Sequence, residues 1–156
     1  MKVLMVEPGK APYEKDIQGL PAMQEAVGGG LIQACYYYEE PVCLVCNEEG
    51  KINGMPLNRA IYDEDKEMVD IIAGPFFVCG LGKEDFTDLS PELMEKYKGM
   101  FRDPELFVQF NDKIIAIPAI ADEAHPKGYF AGFTDEELTA IGQGNSLLEE
   151  WENGME

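Results

Sequence analysis

Val42-Cys43-Leu44-Val45-Cys46, followed at once by Asn47-Glu48-Glu49-Gly50, decides the fold class. The first five residues are an unbroken apolar, β-favouring run. The next four are turn formers. Upstream, Leu31 to Tyr38 reads as a strand, joined to the run by the turn Glu39-Glu40-Pro41. Downstream, Lys51 and Ile52 are expected to pair back briefly before Asn53-Gly54. Leu57 to Ile61 fits a strand or a helical turn, and Asp63 to Glu67 a charged tip. Val69 to Leu81 is a long apolar run broken at Gly74-Pro75, with Phe76 to Cys79 as its best strand. These connections are too short for crossover helices, so the expected arrangement is an antiparallel meander.

The flanks complete an α+β domain. Lys2 to Val6 predicts the first strand, ended by Pro8-Gly9, and Tyr13 to Ile17 has extended character. Leu20 to Val27 predicts a helix with Leu20, Met23 and Val27 on one face, stopped by Gly28-Gly29-Gly30. Ser90 is an N-cap followed by Pro91 and Glu92, predicting a helix to about Phe101. Phe107 to Phe110 and Ile114 to Ile117 flank the turn Asn111-Asp112-Lys113, and Pro118 is expected to end the second strand. Residues 119–131 read as loop. Capping patterns at Thr134 and Ser146 predict further helices, the last to Trp151. The fold class is therefore mostly antiparallel sheet of short strands, with one helix after the first strand and more in the C-terminal half. The 156 residues fit one domain.

Thirty acidic residues against twelve basic ones give a net charge of -18. Residues 81–156 hold seventeen acids and six bases, a net of -11. No Lys/Arg cluster exists, so direct nucleic-acid binding is disfavoured. No run approaches the ~20 apolar residues of a membrane span, and the apolar start before Glu7 is too short for a signal peptide. The expected compartment is the cytoplasm, where thiols stay reduced.

Each candidate motif has a plainer reading. Cys43 and Cys46 have Cys-x-x-Cys spacing, but residues three apart on a strand point to opposite faces. Cys35, Cys43, Cys46 and Cys79 are thus expected to be structural thiols, with no metal or redox site. His125 reads as a loop histidine without a nucleophile elbow. The three glycines follow a helix, the wrong order for a phosphate loop, so no cofactor is expected. Asp63 to Glu67 lacks the Gly and the closing Glu of a calcium loop.

Asn58 and Arg59 stand in an apolar stretch. A guanidinium there needs a carboxylate or an anion. An ion pair with Asp63 or Asp70 is the plainer expectation; an anion-binding pocket formed by Asn58 and Arg59 is the functional one. The excess carboxylates serve solubility, or else dock a basic protein partner or imitate the phosphates of DNA. Asp135, Glu136, Glu137, Glu149 and Glu150 are the candidate partner-binding residues.

Five segments in order complete the sequence reading. They are Lys2 to Gly9, Ala26 to Gly30, Asn47 to Lys51, Leu57 to Ala60, and Asp70 to Phe77. Together they resemble the domain-of-unknown-function family three-eight-four-six, over residues of about 1–105. Residues 106–156 then form an acidic extension packed on or beside that core. The resemblance implies no activity. It implies a setting: genes of Gram-positive gut bacteria, their phages and conjugative elements, beside anti-restriction and other accessory genes. Combined with the charge, it favours a non-enzymatic interaction protein that blocks a nucleic-acid-binding host defence protein. A nucleotide or small-ligand binder using Arg59 ranks second, and an enzyme last, because no paired catalytic groups are legible.

Overall fold

A computed structural model describes residues 1–120 and 129–130. Its main sheet is built from β1 (Lys2–Val6), β2 (Tyr13–Asp16), β3 (Ile32–Cys35), β4 (Val42–Asn47) and β7 (Phe76–Leu81). The strand order is β2-β1-β7-β4-β3, with the short β8 (Phe86–Thr87) added to β7. All pairings are antiparallel.

The order departs from a meander. Between β4 and β7 the chain makes a separate hairpin, β5 (Leu57–Tyr62) and β6 (Met68–Ala73). β7 then returns to lie between β1 and β4. Leu57 to Ile61 is therefore strand, and Asp63 to Glu67 is the hairpin tip. There Asp63 Oδ1 accepts from the backbone N–H of Asp65 and Glu67, each at 2.9 Å. Lys51 and Ile52 do not pair back. Successive turns carry the chain there, with Asn53 N donating to Glu49 O and Met55 N to Gly50 O.

Strand periodicity sorts the core. Leu4, Val6, Val42, Leu44, Cys46, Phe76 and Val78 point to one face of the sheet. Val3, Met5, Cys43, Val45, Phe77 and Cys79 point to the other. Both faces are covered, which is why β1, β4 and β7 read as continuous apolar runs rather than alternating ones.

Helix α1 (Gly19–Ala26) covers the second face with Ala22, Met23, Ala26 and the following Val27. Leu20 does not join them; it lies in the first turn of the helix and is exposed. Gly28, Gly29 and Gly30 all have positive φ and end the helix as expected.

Helix α2 (Pro91–Met100) covers the first face with Met94, Tyr97 and the following Phe101, a three-then-four spacing. Ser90 Oγ caps it by accepting from Leu93 N at 3.3 Å. The β5–β6 hairpin adds Ile61 and Ile72 to the same side.

The outer side of that hairpin meets a third sheet, made of β9 (Glu105–Phe110), β10 (Lys113–Ile120) and β11 (Tyr129–Phe130). Phe107 packs there on Ala60 and Ile71. Pro118 does not end β10. Ala119 N donates to Pro104 O at 2.7 Å, so the neighbouring Pro118 nitrogen faces away from β9 and its missing N–H breaks no bond there. The loop expected over residues 119–131 is thus partly strand, since Ala119 and Ile120 pair with Phe130 and Tyr129. The helices expected after Thr134 and Ser146 lie outside the described residues. Among the described residues no helix is long and apolar enough to cross a membrane.

Candidate functional site

Arg59 is fully buried on β5, and Asn58 beside it is 1% exposed. Among the described residues no carboxylate reaches the guanidinium. Nε donates to Phe101 O at 3.1 Å, and Nη2 donates to the same oxygen at 3.0 Å and to Lys10 O at 2.7 Å. Nη1 donates to Asn58 O at 3.2 Å and to Asn58 Oδ1 at 2.9 Å. Five bonds match the five N–H groups of a guanidinium, so none is left for an anion. Asn58 Nδ2 in turn donates to Val6 O and Gly74 O, both at 2.9 Å.

The expected ion pair with Asp63 or Asp70 is therefore replaced by a clamp on neutral carbonyls. It ties the loop after β1, the start of β5 and the end of α2. Burial lowers the Arg59 pKa, and the nearby charges of Glu105 and Asp103 oppose that shift. Burial likewise raises the Glu105 pKa, against a bond from Ala60 N and the attraction of Arg59.

The four cysteines are free. Cys43 and Cys46 do face opposite sides of the sheet, as the strand period requires. The cross-strand partner of Cys43 is Cys79, and both are fully buried. Cys46 instead lies near Cys35, with the sulfurs 4.0 Å apart. Among the described residues no group of three or more His, Cys, Asp or Glu is placed to hold a metal ion.

Two clefts flank the connection from β3 to β4, one against β6 and one against the β5–β6 tip and α2. The first is small, about 90 Å³, and is lined by Cys35, Tyr37, Cys46, Lys51 and Asp70 among others. Asp70 organises it. Lys51 Nζ donates to Asp70 Oδ1 at 2.7 Å, Tyr37 donates its hydroxyl to Oδ2, and Ile71 N donates to Oδ1 at 2.8 Å. Burial pushes the Asp70 pKa up, but the bonds from Lys51, Tyr37 and Ile71 together outweigh it and leave it lowered.

The second cleft, about 310 Å³, has Tyr37, Tyr38 and Tyr62 as its aromatic walls. Glu39, Glu40, Asp63 and Glu64 supply carboxylates, and among the described residues Lys96 is its one cation. That cation is already taken, since Lys96 Nζ lies 2.6 Å from Glu40 Oε1. Tyr97 OH also donates to this oxygen, at 2.7 Å. Hydrogen bonds from Lys96 and Tyr97 hold the Glu40 pKa down. Burial pushes the Tyr38 hydroxyl up to about 12, so it stays a neutral donor.

The walls are braced from behind. Tyr38 packs on Tyr97 at 5.0 Å between ring centroids, and Phe101 packs on Phe76 at 5.3 Å. Four carboxylates against one ammonium leave the cleft at -3, beside three π faces. That combination suits the flat guanidinium of arginine and the ammonium of lysine.

The sequence contained a signal for this cleft in Tyr36-Tyr37-Tyr38-Glu39-Glu40, which reads first as strand and turn. The remaining lining comes from the β5–β6 tip and α2, which only folding brings near. Asp135, Glu136, Glu137, Glu149, Glu150 and His125 lie outside the described residues.

A family model, Domain of unknown function (DUF3846), matches residues 1–102. No match to the chain was found among curated proteins or among solved structures.

Proposed function

The chain belongs to this family of unknown function, and on that premise we propose a non-enzymatic interaction protein that docks a basic partner in the tyrosine–carboxylate cleft. One observation carries the reading: Tyr37, Tyr38 and Tyr62 stand beside Glu39, Glu40, Asp63 and Glu64, whose only local cation among the described residues is already paired. The net charge of -18 adds a long-range field that draws a basic partner in and repels nucleic acid. In the setting that the family resemblance implies, the fitting partner is a nucleic-acid-binding host defence protein. Carboxylates would then occupy the surface that binds phosphates.

The test is a titration of the protein against a fluorescently labelled oligoarginine peptide at several salt concentrations. Neutralising Glu39→Gln with Glu64→Gln removes two exposed cleft charges; Glu25→Gln with Glu84→Gln removes two exposed charges elsewhere. The cleft pair should weaken binding about 2- to 30-fold, from ~0.2–1 kcal/mol per exposed charge. Equal losses from both pairs would reduce the effect to net charge and remove the cleft from the reading.

A further inference from the structure

Cys35 ends the edge strand β3 and is half-buried; Cys46, on β4, is 5% exposed. Their sulfurs are 4.0 Å apart, and both residues line the small cleft with Tyr37, Lys51 and Asp70. The other two thiols, Cys43 and Cys79, lie across the sheet and are fully buried. One thiol pair is therefore reachable from solvent and the other is sealed.

We propose that Cys35 and Cys46 form a thiol–disulfide exchange site for low-molecular-weight disulfides, with Cys35 as the attacking thiol and Cys46 as the resolving one. In the first step the Cys35 thiolate attacks one sulfur of the small disulfide. A Cys35–S–S–R bond forms, the original S–S bond breaks, and one thiolate RS⁻ leaves and takes a proton from water. In the second step Cys46 gives up its proton and attacks the Cys35 sulfur. The Cys35–Cys46 bond forms and a second thiolate leaves. Two protein thiols are oxidised by two electrons, and one small disulfide is reduced to two thiols.

The division of roles follows the surroundings. Cys35 has the solvent access that an incoming disulfide needs, and Cys46 sits beneath it. The hydrogen bond from Cys46 brings the Cys35 pKa down to about 6 against the effect of burial, while the Cys46 pKa is pushed up. Lys51 favours the thiolate and Asp70 opposes it. A disulfide is ~2.05 Å long, so the sulfurs must approach by about 2 Å. Cys35 is placed to make that movement, because β3 is bonded to a neighbouring strand on one side only.

The experiment incubates the native protein with glutathione disulfide, quenches it in acid and maps the cysteines by mass spectrometry. Cleavage after Glu39 and Glu40 separates Cys35 from Cys43 and Cys46, and fragmentation distinguishes those two. The wild type should lose two hydrogens and carry a Cys35–Cys46 link. Cys46→Ala should hold glutathione at Cys35, and Cys35→Ala should take up none. A link through Cys43 or Cys79, or a native protein whose Cys35 reacts no faster than those two, would overturn the proposal. Should Cys46→Ala fail to fold, the wild type still decides. Its Cys35 alkylation by iodoacetamide should reach half its maximal rate clearly below the ordinary thiol pKa. A midpoint at the ordinary thiol value of ~8.5 would refute the assignment.

Discussion

Replacing Arg59 by methionine keeps most of the side-chain stem and removes all five donors. Phe101 O, Asn58 O and Asn58 Oδ1 are then left without the guanidinium in a buried setting. Each orphaned buried acceptor costs about 1–3 kcal/mol, which sums to about 3–9 kcal/mol. Lys10 O is left out of the sum because its bond is only part-buried and water can replace it. Losing the cation also removes its desolvation cost, which is several kcal/mol. The net expectation is a loss of about 2–5 kcal/mol, against a typical total stability of ~5–15 kcal/mol. Urea unfolding followed by far-ultraviolet circular dichroism measures it. With a mid-range slope of ~2 kcal/mol/M, the midpoint should fall by about 1–2.5 M. Arg59→Lys keeps the charge but cannot reproduce the planar fork, so it should lose at least about half as much. A methionine variant within about 0.3 M of the parent midpoint would show that the clamp contributes nothing and refute the reasoning.

Further outcomes follow from single residues. The Asp70 pKa is lowered by folding, so its stabilisation is present above the unfolded carboxylate value and fades as pH falls through the folded one. Asp70→Asn should thus be less stable than wild type at neutral pH, with the gap closing in acid; a gap independent of pH would contradict this. Gly80→Ala places a Cβ 2.4 Å from Asp88 O, a backbone atom, and should cost about 1–3 kcal/mol by thermal or urea melting. Gly99→Ala meets nothing within 4 Å on α2 and should instead stabilise by up to ~1 kcal/mol in the same melts. Ser90→Ala removes a long cap bond of 3.3 Å and should cost about 0.5–1 kcal/mol, read from the urea midpoint.

Much of the secondary structure was legible because it is written locally. The runs at Val42 and Phe76, the glycine stop after α1 and the Ser90 cap each carry their own signal. The split of Cys43 and Cys46 across the sheet followed from the strand period alone. The insertion of β7 between β1 and β4 was not legible, because central strands buried on both faces present the same apolar composition to any neighbour. Arg59 was visible as an oddity, but its partners were not. Four of its five bonds end on backbone carbonyls, which every residue possesses and no side chain advertises. The Cys35–Cys46 proximity needed the register of β3 against β4, where Cys35 faces Leu44 and Cys46 faces Gln33. The tyrosine–carboxylate cleft needed three separate segments to converge.

The guanidinium clamp also has a kinetic side. It joins Arg59 to Lys10 across 49 residues and to Phe101 across 42. Closing loops of that size before any contact rewards them is entropically costly. If the clamp closes late in the folding reaction, Arg59→Met should speed unfolding in stopped-flow urea jumps and leave the folding rate unchanged; a slowed folding rate would refute late closure. An interaction absent from the transition state leaves the folding rate alone and sets the rate of unfolding. Arg59 is in that sense a latch, governing how long the native state lasts rather than how fast it is reached.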